Sequence, residues 1–119
     1  IGVYKTDEKK YYSNSFKGYY EIASLTGTIN TMDGEYYAHL HVSVGNEKGE
    51  AFGGHLNRAV VSATCEMVIT VIDGKVDRVY DEETGLNVFK FANFPFEKEV
   101  LKKAGKKDII ATKNIGKTL

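Results

Sequence analysis

His39, His41 and His55 are the only histidines in the chain, and they fall within seventeen residues. Three neutral imidazoles that meet at one point are good ligands for Zn²⁺ or another late transition metal. Three protein ligands leave a fourth position open, and a metal-bound water there is a nucleophile near neutral pH. A plainer reading competes: half-buried sheet histidines, each satisfied by ordinary hydrogen bonds. Which reading holds depends on whether the backbone brings the three rings together.

The stretch "HLHVSVGNEKGEAFGGHL" reads as a hairpin. Alternate residues of a strand share a face, so His39, His41 and Ser43 lie on one side and Leu40, Val42 and Val44 on the other. In the returning strand Ala51, Gly53 and His55 share one side, and Phe52, Gly54 and Leu56 the other. Both apolar sets must face the same way, because a one-residue slip would turn a whole strand over. That requirement forces all three histidines onto one face. A three-residue loop at Asn46, Glu47 and Lys48 places His39 opposite His55, with Cβ atoms about 4.5 to 5.5 Å apart. In that register Gly53 sits across from His41 and leaves open space, so Gly53 and Gly54 are expected to line a small-ligand pocket. Glu66 is a candidate outer carboxylate or base for the site, with an exposed strand carboxylate as the plainer alternative.

The elements around this hairpin are mostly strands. Residues 19–25 are aromatic and β-branched, and "TGTI" follows as a second short strand. Asp33-Gly34 signals a tight turn into "YYAHLHVSV". The run "SATCEMVITVI" predicts a strand of the buried kind, and Asp73-Gly74 a further hairpin turn leading to "KVDRVYDEETGLNVFKF". The turn spacing fits an antiparallel sheet or barrel. After the only proline, Pro95, the pattern Phe96, Val100, Leu101 and Ala104 predicts an amphipathic helix that stops at Gly105, and "DIIATKNI" predicts one more strand. Lys102, Lys103, Lys106 and Lys107 form the one basic cluster, either a solvated helix end or a phosphate-binding patch.

The 119 residues, 42% apolar, suit one domain. Sixteen basic residues balance sixteen acidic ones, which weighs against a dedicated nucleic-acid binder but leaves room for a local basic patch. The single cysteine, Cys65, excludes an internal disulfide and reads as a buried thiol. No apolar run approaches the roughly 20 residues of a membrane span, so a cytoplasmic protein with no membrane partner is expected. The opening "IGVYKTDEKKYY" reads as a strand already under way, as in a fragment, a processed form or part of a longer chain.

The segments "GYYEIASLTGTI", "HLHVSV", "GGHL", "ATCEMVI" and "DEETGLNVFKF", in that order over residues 18–91, resemble the plants-and-prokaryotes conserved domain. The resemblance implies an α+β fold, mainly antiparallel β-sheet with one flanking helix, assembled as a homotrimer. Members of this family in plants carry a Gly-Arg-Phe-Glu-Ile-Leu signature linked to partner binding. Gly18, Glu21 and Ile22 match it, while Tyr19 and Ala23 depart from it, and these residues mark an expected partner or trimer segment. The AT-hook that carries DNA binding in the plant proteins has no counterpart here, so DNA is expected as a partner by resemblance only. His39, His41 and His55 match the histidine pattern of prokaryotic members, some of which look like metal proteins. The family's usual N-terminal strand and long helix would lie ahead of the segment matched by "IGVY", and residues 96–119, which have that element order, are expected to pack in their place, as in a rearranged chain.

Two functions follow: a DNA-associated, regulatory, homotrimeric protein with a three-histidine zinc site, or a metal-dependent enzyme or small-ligand binder using the same face. A cupin, a more distant third, would need a glutamate where this chain has Gly45.

Overall fold

The computed structural model describes residues 1–91. Seven strands run through them: β1 (Gly2–Lys5), β2 (Lys10–Ser13), β3 (Glu21–Met32), β4 (Glu35–Gly45), β5 (Ala51–His55), β6 (Val76–Asp81) and β7 (Leu86–Phe91). The described residues contain no helix, and the pairing is mainly antiparallel. The helix expected after Pro95, the strand "DIIATKNI", the lysine cluster and the packing expected of residues 96–119 all lie outside the described residues.

The chain divides into two compact units. The first joins Ile1–Ile29 to Tyr37–Ile72, and its strands lie in the order β2-β1-β5-β4-β3. The opening of the chain forms a hairpin rather than one strand, with Tyr4 opposite Tyr11 and Gly2 opposite Ser13. β3 is one strand of twelve residues, not the two short strands expected from its sequence. Gly27 lies inside the second of those expected strands and serves a close approach. A Cβ there would lie 2.1 Å from the His39 carbonyl oxygen, so only glycine lets β4 come this near.

Among the described residues, the second unit joins Asn30–Tyr36 to residues 73–91. Asp33 and Gly34 turn β3 into β4 with φ of 52° and 82°, the paired positive values of a type I′ hairpin turn. β6 runs parallel to the end of β3, Thr31 opposite Asp77, and pairs antiparallel with β7 from Val76↔Phe91 to Asp81↔Leu86. Arg78 is buried here, 4% exposed. Its Nε donates to Asn30 Oδ1 at 3.1 Å, its Nη1 donates to the Asn87 carbonyl at 2.7 Å, and the guanidinium lies 4.4 Å over the Phe89 ring. A buried charge is tolerated when its donors are used in this way.

The expected buried strand "SATCEMVITVI" is a correction. Residues 56–75 hold no strand, and Val68, Val71 and Ile72 are 100%, 89% and 82% exposed. An apolar, β-branched run reads as buried because of its composition, but burial needs a surface to pack against, and the described residues supply none. Val42 is the one buried hydrophobic side chain among them. Cys65, expected in that core, is a half-buried free thiol.

Candidate metal centre

β4 and β5 bring the three histidines together on one face, as the alternation of their apolar residues requires. The register differs from the expected one by two residues: His55 pairs with His41, not His39, and Gly53 lies opposite Ser43. The cause is the loop. Asn46 Oδ1 accepts the backbone N–H groups of both Lys48 and Glu50 at 3.0 Å, and Asn46 Nδ2 donates to Glu50 Oε2 at 2.8 Å. Backbone bonds from Asn46 N–H to the Glu50 carbonyl and from Gly49 N–H to the Asn46 carbonyl complete the loop, with Gly49 at φ 77°. The turn therefore takes five residues, Gly45 facing Ala51, where three were expected. A shift of two keeps every side chain on its face, so the histidines still meet.

Their ring centroids lie 5.1 Å (His39–His41), 5.0 Å (His39–His55) and 5.6 Å (His41–His55) apart. Each residue offers one ring nitrogen, and the three nitrogens fall within 4.8 Å of one another. The Nε2 atoms of His39 and His41 are 3.2 Å apart. Two nitrogen lone pairs at that distance repel unless a proton or a cation lies between them. Two nitrogens bound at about 2.05 Å to a tetrahedral ion would be roughly 3.4 Å apart, close to the spacing seen. His55 Nδ1 is buried and has no hydrogen-bond partner, which native structures seldom leave unexplained. A shared proton would account for the His39–His41 contact alone. A converging trio with an orphaned imidazole nitrogen fits a site for a cation.

Burial, and next the charge on His41, push the pKa of His55 below its ordinary value. That keeps His55 neutral, the form that binds metal. His41 is exposed and the other two are half-buried, so the site opens to solvent.

The other expected site residues are distributed differently. Gly53 and Gly54 do not leave space beside the imidazoles. A Cβ at Gly53 would meet the Val42 carbonyl oxygen at 3.0 Å, and one at Gly54, with φ 151°, would lie 2.6 Å from that of Gly2. Gly54 instead lets β1 close on β5, Gly2 opposite His55. Gly53 does line a hollow of about 350 Å³ with Asn14, Phe16 and Phe52, to which no histidine contributes. Glu66 is exposed and does not join the histidine group. Gly18 precedes β3, and Glu21 and Ile22 begin it, all three exposed. Sequence reasoning missed Tyr11, whose ring lies 5.5 Å from that of His55. Burial, then Tyr37 and Tyr4, raise its pKa. The one available signal was the turn-like "KTDEKK" between Tyr4 and Tyr11.

The metal-free protein should carry the imprint of His55 in its pH dependence. An unfolded histidine titrates near 6.5, and the folded one lower. The unfolded chain then binds the extra proton first, so this contribution to stability is whole above about pH 6.5 and is lost as the pH falls toward the folded value. Thermal unfolding from about pH 8 to 5 should show a melting temperature that declines below about pH 6.5, with a shallower decline in His55→Gln. Identical profiles would contradict the assignment.

Solved structures of similar proteins place this geometry in context. A protein from Bacteroides thetaiotaomicron described as a candidate DNA-binding protein superposes with a TM-score of 0.73 at 32% identity, covering 76% of this chain and 64% of its own. One from Ralstonia eutropha with the same description gives 0.68 at 29% identity, covering 77% and 64%. A metal-containing protein from Archaeoglobus fulgidus gives 0.63 at 31% identity, covering 76% and 64%. The chain thus spans 64% of the length of these three relatives. None of the curated proteins compared with it matches. The Plants and Prokaryotes Conserved domain model matches residues 1–73, a stretch that holds all three histidines and the strands that position them, and the chain belongs to that family.

Proposed function

We propose that this protein is a metal-binding member of the family, with zinc held by His39, His41 and His55 and a fourth position open to solvent. The observation that carries the reading is the convergence of three imidazole nitrogens within 4.8 Å. The metal-containing relative from Archaeoglobus fulgidus supports it. Three neutral nitrogen ligands suit zinc, and the open position is the arrangement of zinc sites that bind water or a small ligand. An enzyme that uses such a water would need a base nearby, and Glu66 does not join the group.

The working form we propose is a homotrimer in the cytoplasm. The exposed apolar side chains of Val60, Val68, Val71 and Ile72 support an assembly, because surfaces of this kind are buried in obligate oligomers. The exposed segment of Gly18, Glu21 and Ile22 is the proposed partner-facing edge. A lone free thiol, Cys65, suits a reducing compartment. No helix among the described residues is long and apolar enough to cross a membrane.

The descriptions of the Bacteroides and Ralstonia relatives favour a second reading, association with DNA. With no net charge on the chain, binding would have to come from a local basic patch and be salt-dependent.

Elemental analysis of the purified protein should find about one zinc per chain. His41→Ala should weaken metal binding by more than the roughly 10- to 100-fold typical of outer-shell changes while the far-ultraviolet spectrum is kept. Unchanged metal content in that variant would contradict the site. For DNA, a gel-shift assay at about 50 mM salt should give a complex that weakens steeply toward about 200 mM. No shift at the lower salt would remove this reading.

A further inference from the structure

We infer that Tyr11 is a positioning residue for the histidine centre, its aromatic ring setting the orientation of His55. The inference rests on the metal-site reading and concerns how the site is held. His55 enters from β5, and its buried Nδ1, the nitrogen left for a cation, makes no hydrogen bond. Histidines that bind metal are usually oriented by a hydrogen bond from the far nitrogen. Here tilted ring contacts lie against the imidazole. Tyr4 and Tyr11 face each other across the β1–β2 hairpin with centroids 4.8 Å apart, and Tyr11 in turn meets His55 at 5.5 Å and 42°.

The backbone shows why this contact forms. Gly54 has no Cβ to hold off the Gly2 carbonyl, so β1 closes onto β5 with Gly2 opposite His55. Gly2 is also opposite Ser13. The row from β2 to β5 therefore reads Ser13, Gly2, His55, and its middle position carries no side chain. Tyr4 and Tyr11 stand one pair further along the hairpin on the same face. The Tyr11 ring reaches the imidazole from that neighbouring pair, while Ser13 Oγ and Asn57 Nδ2, hydrogen-bonded at 2.6 Å, fill the space over Gly2. Its neighbour Tyr12 has the opposite parity and is held elsewhere, by Glu8 and under the ammonium groups of Lys5 and Lys10. The hairpin thus offers one tyrosine to the histidine face and withholds the other, a built-in control.

The ring, rather than the hydroxyl, is what acts, so Tyr11→Phe should behave as the parent does and Tyr11→Leu should not. Leucine keeps apolar volume at a half-open position, where no cavity forms. The probe is Co²⁺ added to the metal-free full chain, with affinity read by competition against a chromophoric chelator and ligand geometry read from the visible d–d bands. Parent and Tyr11→Phe should agree within about twofold. Tyr11→Leu should bind on the order of tenfold more weakly with shifted bands, and Tyr12→Leu should match the parent. Parent-like binding by Tyr11→Leu, equal weakening by Tyr12→Leu, or a Tyr11→Phe variant as weak as Tyr11→Leu would each overturn the inference and leave the metal site standing. A parent protein that does not bind Co²⁺ would overturn both.

Discussion

The register between β4 and β5 is the constraint on which the candidate site depends. His41 faces His55 because the turn between the strands takes five residues, and it takes five because Asn46 ties it together with three side-chain hydrogen bonds. Each such bond is worth about 0.5 to 1.5 kcal/mol net, but its consequence is geometric. A turn shorter or longer by one residue would carry His55 to the opposite face and leave two histidines on one side and one on the other. Gly27 on one flank and Gly54 on the other then let the neighbouring strands close in, and the second of these brings the tyrosine hairpin to His55.

Burial is arranged differently from polar contact. The described residues use the donors of buried Arg78, yet bury one hydrophobic side chain, Val42. Stability in a domain comes chiefly from apolar area removed from water, and the run of exposed valines and isoleucines from Val60 to Ile72 is where that area is available. The homotrimer we propose and this exposed run are two sides of one requirement. The histidine face does not depend on it, since its three ligands come from two adjacent strands of one chain.

Much of the histidine site was legible because period-two alternation is a strong, local signal. Leu40, Val42, Val44, Phe52 and Leu56 fix a face, and the histidines follow. The exact pairing was not legible, because it is set by an asparagine side chain whose bonding in the loop has no pattern in sequence. Asp33-Gly34 was readable as a turn, since a type I′ turn demands those residues. The unbroken length of β3 was not legible, because the glycine in "TGTI" admits a neighbouring backbone, a role that has no pattern of its own in sequence. The run at residues 63–72 was misread for a different reason: its composition records a demand for burial, while its exposure depends on which surface meets it. Tyr11 was invisible because its partner is forty-four positions away and is reached across an intervening strand.

X-ray absorption at the zinc edge of the metal-loaded full chain tests the central claim most directly, because it reports ligand type and distance together. The account predicts three imidazole nitrogens at about 2.0 to 2.1 Å, one lighter oxygen or nitrogen ligand, and no sulfur. A spectrum with a sulfur ligand near about 2.3 Å, or with fewer than three imidazoles, would contradict it.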